Sequence, residues 1–128
     1  MRLLLDTHAL LWWWTDDPRL SPKAREAIAD TASTVLVSAA SPWELATKHR
    51  IGKLGEAGEA VARFDELVSA DGFEHLPIRY YHCLKAGGYA LAHRDPFDRM
   101  LAAQSELEGL VLVTCDPVFG LFRANVLW

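Results

Sequence analysis

The sequence has no long apolar run, few cysteines and no excess of positive charge. No apolar run approaches the roughly 20 residues that span a bilayer, and Asp6 and His8 interrupt the apolar N-terminus too early for a signal peptide. The lack of such a run predicts that the protein binds no membrane. Cys83 and Cys115 form no CxxC pattern and no secretory signal is present, so we expect reduced thiols in a cytoplasmic protein. A formal net charge of −4 argues against a protein that coats nucleic acid, although a nuclease whose acids gather in one site remains compatible with it.

The chain alternates short apolar runs with amphipathic segments. Its 128 residues, 51% of them hydrophobic, predict a single domain over residues 1–128 with one buried core. The alternation predicts an α/β fold, a three-layer sandwich in which helices flank a mainly parallel central sheet. The predicted strands are Arg2–Leu5, Thr34–Ser38, Phe73–Ile78, Leu110–Thr114 and, at an edge, Asn125–Trp128. The predicted helices are Ala9–Trp14, Lys23–Ala32, Pro42–Ile51, Gly58–Ala70, Arg79–Ala92 and Arg99–Leu107.

Two segments share a helix-start pattern of cap, proline and acid. In Ser41-Pro42-Trp43-Glu44, a serine cap with glutamate three residues later predicts a capping box. In Asp95-Pro96-Phe97-Asp98, Asp95 takes the cap position and Asp98 gains from the helix dipole. Asp116 before Pro117 is similarly compatible with a turn cap. Taken singly, each of these acids therefore has a structural explanation.

Taken together, four acids stand where an apolar run gives way to a helix: Asp6, Glu44, Asp98 and Asp116. Ligands of open α/β folds bind at the carboxyl ends of the strands, which right-handed crossovers bring to one edge. Asp6 follows three leucines on a predicted central strand, where a carboxylate without a partner is costly. Gathered carboxylates repel one another unless a hard cation such as Mg²⁺ or Mn²⁺ neutralises them. The pattern therefore predicts a metal-dependent site for a phosphate-bearing substrate.

At these residues the chain resembles the PIN-domain ribonucleases, specifically the VapC-like toxins of type II toxin–antitoxin systems. The resemblance covers nearly the whole chain and rests on four motifs in the family's order. The motifs are Leu-Leu-Leu-Asp-Thr-His-Ala-Leu-Leu-Trp at 3–12, Ser-Pro-Trp-Glu-Leu-Ala-Thr-Lys at 41–48 with Gly-Lys-Leu at 52–54, His-Arg-Asp-Pro-Phe-Asp-Arg-Met-Leu-Ala-Ala-Gln at 93–104, and Leu-Val-Thr-Cys-Asp at 112–116.

The resemblance implies a PIN-like fold and an endoribonuclease that hydrolyses RNA phosphodiesters with a metal-activated water, leaving a 5′-phosphate and a 3′-hydroxyl. It makes the four acids named above the catalytic quartet and the ligands of Mg²⁺ or Mn²⁺. Thr114 matches the hydroxyl residue that often accompanies the last acid. The resemblance also implies a cognate antitoxin protein and a homodimer.

Three further residues are expected to support the site: Thr114, Asp95 and Arg99. Both Asp95 and Asp98 lie near a helix start, and we assign the site acid to Asp98 because the spacing Asp98-x-x-Leu-Ala-Ala matches the family's helix. Asp95 is then the N-cap. Arg94 or Arg99 is a candidate for holding the substrate backbone. The basic group of Lys48, His49, Arg50 and Lys53 is a further candidate, with a solvated helix face as the equal alternative.

Other functions make different demands on the sequence. A phosphoacceptor receiver domain needs a lysine just beyond a late strand, and none of the four lysines follows a strong strand. A haloacid-dehalogenase-type phosphatase needs an aspartate where His8 stands. A non-catalytic PIN-like binding module in a protein or RNA assembly is the alternative from a different class. The complete set of four acids argues against it.

Three consecutive tryptophans, Trp12, Trp13 and Trp14, are unusual. Helical residues step by about 100°, so the three rings do not all face one core. We expect at least one ring at the surface, in a partner groove or dimer contact, with packing under the following loop as the alternative.

Overall fold

The computed structural model describes all 128 residues and has a five-stranded sheet at its centre. The strands lie in the order β3-β2-β1-β4-β5, and every neighbouring pair is parallel. They are β1 (Arg2–Leu5), β2 (Thr34–Ser38), β3 (Glu74–Leu76), β4 (Val111–Val113) and β5 (Val126–Leu127). The predicted α/β fold with a parallel sheet is thereby confirmed, including the last strand at an edge.

Seven α-helices and two short 3₁₀ helices connect these strands. The α-helices are α1 (Thr7–Trp14), α2 (Pro22–Ala29), α3 (Ala40–Arg50), α4 (Gly58–Ala62), α5 (Phe64–Ala70), α6 (Tyr80–Gly88) and α7 (Pro96–Leu107). The 3₁₀ helices are Gly55–Ala57 and Pro117–Gly120. None of the helices has the length and apolarity that crossing a membrane would require.

The sheet separates two hydrophobic clusters, and β1 contributes to both. Leu3 and Leu5 pack with residues of α1, α2 and α5 on one face, whereas Leu4 packs with α7 and the 117–122 segment on the other. All three leucines are fully buried. This arrangement follows from the two-residue period of a strand, which sends successive side chains to opposite faces. An uninterrupted leucine run therefore belongs at the centre of a sandwich covered on both faces.

The carboxyl ends of the central strands lie side by side. Leu5 is in register with Val37 of β2 and with Val113 of β4, and the backbone N–H of Asp6 donates to the Val113 carbonyl at 3.1 Å. The residue after β1 and the residue after β4, Thr114, are consequently neighbours. This edge carries the candidate site.

The predicted capping box at the start of α3 does not form. The helix begins at Ala40, with Ala39 in the N-cap position and no side-chain cap. Ser41 is therefore inside the first turn, and its buried hydroxyl pairs with the Thr7 hydroxyl at 3.1 Å. Helix capping therefore does not explain why a glutamate stands at position 44.

Three predicted helices are shorter or divided, and the first of them, predicted over 23–32, ends at Ala29. The segment 58–70 forms two helices rather than one, because Arg63 leaves the helical region at φ −124° and ψ 27°. The predicted helix over 79–92 ends at Gly88, and the chain then runs irregularly to Asp95. This irregular segment lies beside the candidate site and is held in place by Arg99, as described below.

The three tryptophans of α1 pack against the molecule rather than projecting from it. Trp12 is buried and lies edge-on to Trp128, with ring centroids 5.9 Å apart. The indole N–H groups of Trp13 and Trp14 both donate to one Asp71 carboxylate oxygen, at 3.1 and 2.8 Å. The packing alternative therefore describes these side chains, and the expectation that one of the three rings is exposed is wrong.

Candidate active site

A cavity of about 410 Å³ opens at the carboxyl edge of the sheet and is lined by acidic side chains. The four predicted site acids all line it, together with Asp95. Its other lining residues are His8, Trp12, Arg19, Lys48, Cys115 and Pro117. Residues distributed over 110 positions of sequence are thus brought into one concave surface by the parallel arrangement of the strands.

Asp6 is one of two buried acids of the cavity, with 7% of its surface exposed against 4% for Glu44. It caps α1, and its Oδ1 accepts a hydrogen bond from the Ala9 N–H at 2.7 Å, while Oδ2 accepts one from the Thr114 hydroxyl at 2.5 Å. Burial, with a smaller contribution from the charge of Glu44, raises the pKa of Asp6 to about 6, against the lowering effect of these hydrogen bonds and of His8. Its negative charge is therefore incompletely compensated.

Thr114 connects two acids of the site. Its hydroxyl donates to Asp6 and accepts a hydrogen bond from the Asp116 N–H at 3.1 Å. Asp116 itself is exposed and caps the following 3₁₀ helix, with its Oδ1 accepting from the Val118 N–H at 3.0 Å. Its capping role and its position in the cavity thus coexist.

Glu44 is buried on the first turns of α3 and forms an ion pair with Lys48, one helical turn later. Burial of Lys48 disfavours its charged form, but the hydrogen bond and charge of Glu44 outweigh this, so the pKa of Lys48 lies above its ordinary value. The i,i+4 pair places an ammonium group within the acidic cavity.

Asp98, on the first turn of α7, has a basic neighbour of its own. Its Oδ2 is 2.8 Å from Nε2 of His93. Burial, together with the charges of Asp95 and Glu44, raises the pKa of Asp98 above its usual range, and the hydrogen bond from His93 acts in the opposite direction. Asp95 caps α7 by accepting from the N–H groups of Phe97 and Asp98, at 2.8 and 3.2 Å. Asp95 accordingly has the N-cap role expected of it and also lines the cavity.

Arg99 is directed away from the acidic cavity. Its guanidinium donates to five backbone carbonyl oxygens, those of Ala86, Gly87, Tyr89, Leu91 and His93, at distances between 2.7 and 3.4 Å. These bonds hold the irregular segment after α6 against α7. They leave the guanidinium engaged with the chain's own backbone, whereas Arg94 is exposed and has no hydrogen-bond or ion-pair partner.

Two basic residues, one lining the cavity and one in contact with Asp98, were not assigned a role from the sequence. Arg19 stacks its guanidinium 4.9 Å from the Trp12 ring centroid and pairs with Asp17 at 2.8 Å, and no local pattern indicates that it lines the cavity. His93 begins the third sequence motif, which assigns no role to it. Its five-residue spacing from Asp98 carries no helical or strand signal, because the intervening chain is irregular.

The donor set of the cavity has the chemistry of a hard-cation site. It consists of carboxylate oxygens, which Mg²⁺ and Mn²⁺ favour over nitrogen and sulfur ligands. No three His, Cys, Asp or Glu side chains already converge on one point that a metal ion could occupy. Burial raises the pKa values of both Asp6 and Asp98, so the ionised form of each carboxylate is disfavoured by loss of water. A divalent cation would favour that form.

Fold and cavity together define a parallel α/β protein with an acidic site at the carboxyl edge of the sheet. The family model of the PIN domain matches residues 3–124, and the chain therefore belongs to the PIN domain family. PIN domains are generally nucleases, and family members are generally dependent on divalent metal ions. The family predicted from the sequence motifs is thus confirmed.

Solved structures share the fold at low sequence identity. One is VapBC2 from Rickettsia felis bound to a DNA fragment from its promoter, with a TM-score of 0.63, 17% identity, and coverage of 99% of this chain and 98% of that one. Another is FitAB bound to the IR36 DNA fragment, with a TM-score of 0.56, 17% identity, and coverage of 98% and 93%. No curated protein sequence matches this chain.

Proposed function

We propose that this protein is a Mg²⁺- or Mn²⁺-dependent endoribonuclease that acts as the toxin of a toxin–antitoxin pair. The observation that carries the proposal is the convergence of Asp6, Glu44, Asp98 and Asp116 on one cavity at the carboxyl edge of the sheet. Two of these carboxylates have raised pKa values, which favours a site that receives a cation. Membership of the PIN domain family supports the nuclease class.

Asp6 and Asp98 would be the principal metal-holding residues, with Glu44 and Asp116 contributing directly or through water. When bound, the cation lowers the pKa of a water molecule and polarises the scissile phosphate. The Thr114 hydroxyl fixes the orientation of the Asp6 carboxylate. Lys48 lies within the same cavity and supplies positive charge close to where a phosphate would enter.

The toxin assignment has separate support. Two of the solved structures that share the fold are antitoxin complexes, VapBC2 and FitAB, each bound to DNA. We infer by analogy that a cognate antitoxin binds this chain and blocks its activity, that the protein is cytoplasmic, and that it forms a homodimer. The substrate proposed for the free enzyme is an RNA required for translation.

The decisive experiment is a titration of Mg²⁺ and Mn²⁺ into wild type, Asp6→Asn and Asp98→Asn, with cleavage of total RNA measured in the same samples. We expect both variants to lose metal binding and at least about 100-fold in cleavage rate, because a metal contributes several kcal/mol of transition-state stabilisation. Asp65→Asn is the matched control, since Asp65 is 87% exposed and its partner is His75.

Equal metal binding and equal cleavage in all four proteins would contradict the proposed site. Such a result would make a non-catalytic PIN-like binding module the better description and would assign the cleavage to a contaminant. Expression in cells tests the toxin assignment separately. We expect wild type to arrest growth and Asp98→Asn to leave it unchanged; undisturbed growth with a purified protein that cuts RNA well would contradict the toxin role.

A further inference from the structure

We propose that a second pocket beside the acidic cavity binds a nucleobase of the RNA, one that flanks the scissile phosphate. This aromatic pocket is formed by Ala40, Trp43, Arg94, Phe97 and Met100, with a volume of about 240 Å³. The inference rests on the proposed function, because it names a substrate contact of the same active site. It adds a binding surface and a specificity element that the four acids do not provide.

The pocket is built from the helix turns that carry the site acids. Trp43 directly precedes Glu44 on α3, and Phe97 directly precedes Asp98 on α7. Adjacent helical residues are rotated by about 100°, so each helix presents an acid to one cavity and an aromatic ring to the next. The two rings meet edge to face, with centroids 4.8 Å apart and planes at 80°. A phosphodiester held by the acids would therefore place a neighbouring base beside these rings.

The Trp43 ring is free to stack. Its side chain is 59% exposed, whereas Phe97 behind it is 9% exposed and fixes its position. Six of the ten residues that line the pocket are hydrophobic. An exposed aromatic ring in an apolar recess is the arrangement on which single-stranded nucleic acids stack their bases, since every base has a π-face.

Charge favours an RNA over a protein occupant. Arg94 lines the aromatic pocket, is exposed and has no hydrogen-bond or ion-pair partner. Its guanidinium can stack on a base or bind a phosphate of the backbone. If two copies of the chain formed a two-fold dimer through the aromatic pocket, the same surface of each copy would meet. The two Arg94 side chains would then be brought together and would repel each other. A polyanion meets no such repulsion.

The test is RNA binding without cleavage. An Asp98→Asn background is combined with Trp43→Ala, Trp43→Phe or Arg94→Ala, and the binding of fluorescently labelled single-stranded oligoribonucleotides is followed by anisotropy. We expect Trp43→Ala to weaken binding by about 5- to 100-fold, which is the usual effect of removing one stacking ring, and Trp43→Phe to restore most of it. Tyr80→Ala is the matched control, because Tyr80 is 76% exposed and lies outside the pocket.

A scan with single abasic nucleotides identifies the base that is bound. We expect one abasic position to weaken binding to the background protein and to have no further effect in Trp43→Ala, because both changes remove the same stack. Equal RNA binding by Trp43→Ala and the background would overturn the inference. A loss of binding that is accompanied by a change from dimer to monomer in sedimentation would also overturn it and assign the pocket to self-association. Failure of every RNA to bind, or failure of wild type to cleave RNA, would refute the proposed function itself.

Discussion

The two sides of the acidic cavity differ in the groups that compensate their buried negative charge. On the strand side, Asp6 is held by neutral donors, the Ala9 N–H and the Thr114 hydroxyl, and its pKa is raised to about 6. On the helix side, Glu44 is paired with Lys48, and Asp98 lies against His93. The strand side therefore has a fixed geometry with neutral donors alone, whereas each acid of the helix side has a basic side chain beside it. A metal ion would satisfy the first and compete with the second.

The largest stability effect should come from removing the strand-side charge. The pKa of Asp6 in the folded protein, about 6, lies above the value of 3.8 for an unperturbed aspartate, so the folded state binds the proton more tightly. The stabilisation from this proton is complete below the unfolded pKa and is lost as the pH rises through 6. In EDTA at pH 7 we expect the free energy of unfolding of Asp6→Asn to exceed that of wild type by on the order of 2–3 kcal/mol, so the variant is the more stable protein.

Thermal unfolding from pH 4 to pH 8 in EDTA measures this difference. The advantage of Asp6→Asn should shrink as the pH falls below 6, and added Mg²⁺ should stabilise wild type but not the variant. A variant that is less stable than wild type at pH 7 would show that hydrogen bonds, rather than the burial of charge, dominate at this side chain.

The next effect should come from the helix side. In Lys48→Met the buried Glu44 carboxylate loses its ion-pair partner, which destabilises the protein in EDTA by about 1–2 kcal/mol, less than for a fully buried pair because 25% of the Lys48 side chain is exposed. Chemical denaturation of Lys48→Met and of Lys48→Met/Glu44→Gln measures it. The double variant should recover most of the loss; equal destabilisation of the two proteins would assign the effect to packing of the lysine stem.

A smaller effect should follow the loss of the hydroxyl that connects the two strand ends. Thr114→Val removes the donor to Asp6 and the acceptor of the Asp116 N–H, at a cost of about 1 kcal/mol or more. Because Mg²⁺ would meet a less well oriented carboxylate, we expect metal affinity to fall by about 10-fold. Isothermal titration of Mg²⁺ checks this, and Thr114→Ser should retain the wild-type affinity.

The smallest change is expected at His93. In His93→Gln an amide can still donate to Asp98, and the pair is partly exposed, so stability should change by less than about 0.5 kcal/mol. Denaturation at low and high salt measures it. A loss above about 2 kcal/mol would show that the helix side depends on His93 as strongly as on Lys48.

Patterns local in sequence predicted much of this site, and contacts distant in sequence account for the rest. The leucine run before Asp6 indicated a central strand, and the strand-end rule then placed the four acids at one edge. The Ser41 hydroxyl instead forms a hydrogen bond with the hydroxyl of Thr7 on another helix, and this contact outweighs the local capping pattern. Arg99 likewise donates hydrogen bonds to backbone carbonyls at the end of α6 and in the irregular segment after it. The periodicity of the sequence does not predict these contacts. The Asp71 carboxylate that fixes two tryptophans lies 57 and 58 residues from them.

The contact between Thr114 and Asp6 spans 108 positions of sequence. During synthesis Asp6, the first acid of the site, leaves the ribosome long before β4, the strand that pairs with β1. Domains acquire their long-range contacts only once the participating segments have emerged. A nascent chain that has not yet exposed Thr114 therefore lacks the finished cavity. The acids of the cavity come together only after nearly the whole chain, through β4 and Asp116, has emerged.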